Sequence, residues 1–160
     1  MSDTTPTSLT AGDSAPALTL PDDTGTIRDL ADERGHRVLI FFYPKDFTTG
    51  CTIEVCEFRD SYAAFGDLDA VVWGVSILDS ASKAAFKAKH ELPFPLLADE
   101  EHVVSERFGV WVEKRTHDKV GWGVERATFL IDADGRIARV WRKVKAEGHA
   151  QEVLGVLRGA

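Results

Sequence analysis

Cys51 and Cys56 are the residues of this 160-residue chain whose type and proximity could do redox chemistry. A thiolate is a nucleophile, and two thiols can give up two electrons together by forming a disulfide. The pair is five residues apart. On a helix this is a rotation of about 140° and a rise of about 7.5 Å, which leaves the Cα atoms roughly 8 to 9 Å apart. That exceeds the roughly 7 Å limit for a disulfide without backbone movement. If the two bond, the first helical turns must unwind. A purely structural cross-link over so short a loop would remove little chain entropy, and the C-x₄-C spacing is not the C-x-x-C of a common redox motif.

The helix itself is predicted over about Gly50 to Phe65, because Cys51, Val55, Phe58, Tyr62 and Phe65 recur on one helical face. Thr48 or Thr49 is placed to cap its start. Cys51 falls on the apolar stripe and Cys56 off it, so the two thiols have different surroundings. Cys51 also sits where a strand hands over to a helix N-terminus, a position whose free N–H groups and dipole stabilise anions. Lys45 or a distant arginine would add to that field. From the residues alone, Cys51 reads either as a reactive thiol or as a core filler, and Cys56 as a core filler.

The elements that would hold this helix follow from pattern. Arg37 to Tyr43 is an apolar run of the kind found in a strand covered on both faces, ended by Pro44. Ala17–Leu20 is a shorter candidate strand, followed by a turn at Pro21 to Gly25. Val71 to Ser76 reads as a second buried strand, and Ser80 opens an Ala- and Lys-rich helix that stops before Pro93. Pro95 to Ala98 is a short strand, Glu101 to Phe108 a short helix closed by Gly109, and Lys114 to Gly123 a polar loop. Arg126 to Ile131 and Arg136 to Trp141 flank the turn Asp132-Ala133-Asp134-Gly135 as a hairpin, and a last helix runs from about His149 to Arg158. A βαβ unit followed by ββα is an α/β layout of the thioredoxin-like type, a central mixed sheet flanked by helices with an N-terminal extension. The chain is expected to be a flexible leader over residues 1–10 and a single domain over residues 11–160.

Composition narrows the function classes. Nineteen Lys and Arg against 26 Asp and Glu leave a net charge of −7, which disfavours nucleic acid. No apolar stretch approaches the roughly 18 to 20 residues of a membrane span, and the N-terminus lacks the segments of a secretory signal, so a cytoplasmic protein is expected. His36, His90, His102, His117 and His149 are scattered as surface or loop residues, so neither a metal nor another cofactor is expected. Trp73, Trp111, Trp122 and Trp141 read as core or pocket-lining, with Trp111 and Trp122 placed to wall a site beside the polar loop. Lys45 and Arg59 read equally well as solvated charges, and Gly121-x-Gly123 lacks the context of a phosphate loop.

The stretch Phe42-Tyr43-Pro44-Lys45-Asp46-Phe47-Thr48-Thr49-Gly50-Cys51-Thr52 resembles the peroxiredoxin signature P-x-x-x-T-x-x-C, with Pro44, Thr48 and Cys51 in its three places. Glu54 to Asp60 resembles the continuation in the bacterioferritin comigratory, or PrxQ, branch, where a second cysteine follows five residues after the first. Arg126 to Asp132 resembles the strand that opens on that family's arginine, and further likeness lies at Phe108 to Trp111 and from Val144 to Ala150. Thr49 stands where the branch commonly has proline.

The resemblance implies that Cys51 is a peroxidatic nucleophile that reduces hydrogen peroxide and organic hydroperoxides, becoming a sulfenic acid. It implies that Cys56 is the resolving thiol of an atypical two-cysteine type. Thr48, the Cys51 amide and Arg126 would then donate to the developing oxyanion, and Pro44 would shape the pocket. Thioredoxin or a glutaredoxin would reduce the disulfide, and an intramolecular resolver makes a monomer the expected state. Two other functions on the same fold are a protein thiol–disulfide oxidoreductase and a non-catalytic redox sensor or holdase.

Overall fold

The computed structural model describes residues 9–116 and 119–159. All but the end of the expected leader, and His117, lie outside these residues. Leu9 packs against the core at its edge.

Two short antiparallel strands, β1 (Thr19–Pro21) and β2 (Ile27–Asp29), open the fold and are followed by a 3-10 turn at Leu30–Glu33. The chain then runs β3 (Arg37–Phe42), α1 (Thr49–Asp60), α2 (Tyr62–Asp67), β4 (Ala70–Ser76), α3 (Ser80–His90), β5 (Leu96–Ala98) and α4 (Val103–Arg107). It ends with β6 (Trp111–Thr116), β7 (Lys119–Val124), β8 (Ala127–Ile131), β9 (Ile137–Trp141) and α5 (His149–Gly159). Five strands form the central sheet in the order β5-β4-β3-β8-β9. β3 pairs parallel with β4 and antiparallel with β8, so the sheet is mixed as expected.

β3 lies mid-sheet and its alternate side chains feed two cores, as the pleat dictates. Leu39, Phe41 and Tyr43 pack with Cys51, Val55 and Phe58 of α1 and Leu154 of α5, whereas Val38, Ile40 and Phe42 pack with Trp73, Phe108 and Phe129. The Phe58 ring stacks on Phe41 at 4.5 Å between centroids, which seats α1 on the sheet. No helix among the described residues is long and apolar enough to cross a membrane.

Several elements differ from the pattern-based expectation. The first strand is Thr19–Pro21 and not Ala17–Leu20, and β2 gave no recognisable pattern in its three residues. The short strand and helix of the middle third tighten to Leu96–Ala98 and Val103–Arg107. The single helix expected from Gly50 to Phe65 breaks at Ser61 into α1 and α2; the Ser61 hydroxyl accepts from Gln151 Nε2 at 3.1 Å and ties the break to α5. The polar loop expected over Lys114 to Gly123 lies within the β6–β7 ribbon, which pairs from Trp111↔Val124 to Thr116↔Lys119. That ribbon stands outside the main sheet with most of β7 exposed, so burial imposes no alternation on it.

Gly74 of β4 faces Phe41 across the β3–β4 pair, where an added Cβ would lie 2.7 Å from Phe41 Cζ and 2.9 Å from Leu96 Cδ2. Gly74→Ala is expected to cost about 1–3 kcal/mol through overpacking, read from denaturant unfolding. An unchanged midpoint would mean that Phe41 and Leu96 yield freely.

Candidate active site

β3 delivers the chain to the site. Tyr43 continues the strand by donating its N–H to Val75 O at 3.0 Å, and Pro44 then turns the backbone into the loop that ends at Thr48. Within it, Phe47 takes a left-handed φ of 67°, a conformation disfavoured for a side chain with a Cβ. The loop is held from below by Asp46, which is buried although charged. Asp46 accepts from the Tyr43 hydroxyl at 2.5 Å, Ser82 Oγ at 2.8 Å and Lys83 Nζ at 3.3 Å, while Lys83 also donates to Ser76 Oγ at 2.6 Å. Burial lowers the Lys83 ammonium from its ordinary value, opposed by the charge of Asp46. Burial, followed by the same carboxylate, pushes the Tyr43 phenol well above the usual range. One carboxylate thus joins the loop to β3, β4 and α3.

Thr48 is the N-cap of α1, but its hydroxyl donates to Lys45 O at 2.8 Å and not to a first-turn amide. Lys45 therefore serves the loop through its carbonyl, while its side chain is exposed. Cys51 follows in the first turn, fully buried between Tyr43, Val55 and Phe58. From the turn before β8, Arg126 reaches over Gly50 and forks. Its Nη2 donates to Cys51 Sγ at 3.5 Å, and its Nη1 donates to Glu54 Oε1 at 2.7 Å. Gly50 makes this approach possible, because a Cβ there would lie 3.0 Å from Nη2. The Arg126 backbone is pinned by Val144 N–H, which donates to its carbonyl at 2.9 Å.

Glu54, one turn beyond Cys51, is a site residue that pattern did not single out. Its side chain is 1% exposed, and Oε2 has no hydrogen-bond partner among the described residues. Burial drives its pKa up from the ordinary 4.5 to about 7, against the opposing pull of Arg126. The guanidinium responds the other way: burial lowers it, but Glu54 and Cys51 outweigh that and raise it above its ordinary value. When Glu54 carries a proton, the Arg126 charge is directed at Cys51 without local compensation. Lys114, on β6, adds a second cation; burial lowers its pKa first, then repulsion from Arg126, with Cys51 acting in the opposite sense. It lies in the segment whose polarity reads as a loop in the sequence.

Cys56 is not brought to Cys51. Both thiols are free, and Cys56 is half-buried on another face of α1 with its Sγ 3.8 Å from His90 Nδ1. Pro44 is half-buried at the start of the loop. Arg59, with its side chain 34% exposed, also donates to His90 O at 2.8 Å and to Asp60 at 3.0 Å. His149 also departs from expectation: it is buried, with Nε2 2.7 Å from Thr128 Oγ1, because the start of α5 packs onto β8. Trp111 and Trp122 line a concavity of about 410 Å³ with Glu125 and Arg142, a different place from the Cys51–Arg126 pair. Among the described residues no three His, Cys, Asp or Glu side chains converge as metal ligands.

A mixed sheet with a buried cysteine in the first turn of the helix after its central strand, faced by an arginine, defines a thioredoxin-fold thiol enzyme. The AhpC/TSA family matches residues 11–140. Peroxiredoxin Bcp of Bacillus subtilis is 48% identical over 147 residues, covering 92% of this chain and 94% of the relative. Peroxiredoxin Bcp of Escherichia coli is 43% identical over 150 residues, covering 94% and 96%. The solved bacterioferritin comigratory protein of Xanthomonas campestris, described for its alkyl peroxide reduction activity, superposes with a TM-score of 0.88 at 37% identity, covering 93% of this chain and 98% of that one. The chain belongs to the AhpC/TSA family, in its Bcp/PrxQ branch of peroxiredoxins, and is a thiol peroxidase.

Folding holds a proton on Glu54 between the ordinary 4.5 and about 7. The associated stabilisation is complete below the lower value and is lost as pH rises to the upper one, on the order of 3 kcal/mol at about 1.4 kcal/mol per unit. Denaturant unfolding across this window is expected to show stability falling with pH more steeply in the parent than in Glu54→Gln; parallel curves would show that Glu54 titrates normally. Lys83→Met strands Asp46 without its buried cation, and a loss of about 3–5 kcal/mol is expected. A loss under about 1 kcal/mol, as for a surface pair, would contradict that role.

Proposed function

We propose that Cys51 is the peroxidatic nucleophile of this peroxiredoxin and Cys56 its resolving thiol, with Thr48, Arg126 and Pro44 completing the reaction site. The observation that carries the reading is the Arg126 fork, which puts one guanidinium arm 3.5 Å from Cys51 Sγ and anchors the other on buried Glu54.

As thiolate, Cys51 attacks one oxygen of a hydroperoxide. The S–O bond forms as the O–O bond breaks, and the departing oxygen leaves as water or an alcohol after taking a proton. Arg126 and the Cys51 amide face the charge that develops on the oxygens. Thr48 takes a different part from the donor first expected, since its hydrogen is engaged by Lys45 O and its oxygen is left to accept from the peroxide O–H. Pro44 shields the sulfenic acid from water.

Resolution requires the first turns of α1 to open, because Cys51 and Cys56 occupy different faces of an intact helix. Cys56 then attacks the sulfenic sulfur, and an outside dithiol, thioredoxin or a glutaredoxin, reduces the disulfide. Hydrogen peroxide and organic hydroperoxides are the substrates, a reading supported by the alkyl peroxide activity described for the Xanthomonas relative. A single domain over residues 11–160, a monomer and the reducing cytoplasm complete the reading, since an intramolecular resolver needs no partner cysteine.

Stopped-flow mixing of the reduced protein with sub-stoichiometric hydrogen peroxide is expected to give a fast Trp fluorescence change that is lost in Cys51→Ser. Arg126→Met is expected to slow that phase by roughly 10²- to 10³-fold, the usual loss for one oxyanion donor. Cys56→Ser is expected to react once and stop with thioredoxin as sole reductant. Normal peroxide consumption by Cys51→Ser, or continued turnover by Cys56→Ser, would refute the respective assignment.

A further inference from the structure

Cys56 has a neighbour that the peroxide step leaves unused. His90 is the last residue of α3, and Glu91 after it turns the chain away in a left-handed conformation with φ 52°. The imidazole stands edge-on to the buried Phe86 ring, 5.2 Å between centroids at 83°, which sets its plane. Arg59 of α1 donates to the His90 carbonyl at 2.8 Å and clamps the two helices together. In that frame Nδ1 faces Cys56 Sγ at 3.8 Å, a hydrogen-bonding distance for sulfur. The arrangement is a thiol, a nitrogen base and a guanidinium at the junction of two helices.

We infer that His90 is the general base that removes the Cys56 thiol proton for the resolving step; this rests on the reading of Cys56 as the resolving thiol. In the Nε2–H tautomer Nδ1 has a lone pair for the S–H. The S–H bond breaks with its proton passing to Nδ1, and the sulfur keeps the electron pair. That pair forms the S–S bond to Cys51, the S–O bond of the sulfenic acid breaks, and hydroxide leaves to be protonated as water. Cys56 sulfur is oxidised and the sulfenic sulfur reduced, so no further redox partner enters. The proton on His90 returns to solvent.

The charges around His90 suit the task. Cys56 and Arg59 face it from α1, Asp60 pairs with Arg59, and Lys89 and Glu91 flank it in sequence at the end of α3. Burial first, then Lys89 and Arg59, lower its pKa, so near neutral pH the imidazole is uncharged and able to accept. Arg59, whose charge interacts with Cys56, stabilises the resulting thiolate. Since thiolates and not thiols attack sulfur, removal of the proton while α1 is intact arms Cys56 before the helix opens.

The test is single-turnover rapid quench after stoichiometric hydrogen peroxide, with the interval between sulfenic acid and disulfide read by mass spectrometry. In His90→Gln that interval is expected to lengthen by roughly 10²-fold, the lower end for loss of a general base. In the parent, disulfide formation is expected to slow as pH falls through a midpoint below the ordinary histidine value of 6.5, and this limb is expected to vanish in His90→Gln. Added imidazole should shorten the interval in His90→Ala. A parental interval in His90→Gln, or a longer one that keeps the parental pH profile and ignores imidazole, would overturn the role of His90 while leaving Cys56 as resolver. A disulfide-independent return to the thiol in Cys56→Ser would instead overturn the resolver reading itself.

Discussion

The structure depends on a guanidinium held between two acids of different kinds. Arg126 reaches a carboxylate on one arm and a thiol on the other, and both belong to the same two turns of α1. Spread over residues 72 and 75 positions away, these contacts form only once β8 lies beside β3, with Ala127 against Phe42, and α1 packs on the sheet at that same end of the strand. The fold therefore brings a fixed positive charge to a buried sulfur. Glu54 prevents the cation from collapsing onto the thiol alone, and its own burial weakens its claim on the cation by favouring its neutral form.

A buried charge needs a buried frame, and the loop before Cys51 has one of its own. Asp46 gathers Tyr43, Ser82 and Lys83, so the segment that carries Pro44 and Thr48 is tied to the end of β3 and to α3 at once. This explains how Phe47 can be kept at positive φ and how Thr48 can turn its hydroxyl toward Lys45 O. An ion pair of this sort contributes little net stability against an apolar equivalent. What it supplies is position, because a carboxylate with three donors has one satisfactory placement.

Parts of this were legible in sequence for physical reasons. β3 and β4 are covered on both faces, so they read as unbroken apolar runs, and the Asp132 to Gly135 turn marks β8 and β9 as a hairpin. β6 and β7 were not legible: a solvated ribbon has no buried face to impose alternation, and with it went Lys114. Cys51 showed itself by its place on the apolar stripe, and Arg126 by its adjoining motif. Glu54 and Lys83 did not, because an acidic or basic residue on a helix reads as solvent-facing unless its partner is known. Those partners come from distant segments, Arg126 for the first and Asp46 for the second.

The distribution of anchors along α1 bears on how the proposed opening would proceed. Its second half is held from three sides: Phe58 stacks on Phe41, Glu57 accepts from Gly148 N–H at 2.9 Å, and Arg59 binds the His90 carbonyl. The first half leans on the burial of Cys51 and on the Arg126 fork. In the proposed reaction, conversion of the Cys51 thiolate to a sulfenic acid would remove the negative charge that faces Arg126 and add an oxygen to a fully buried sulfur. Both changes would loosen the first turns and leave the anchors of the second half untouched. Opening would then stop near Cys56, the point at which the resolving thiol is freed while the helix remains seated on the sheet.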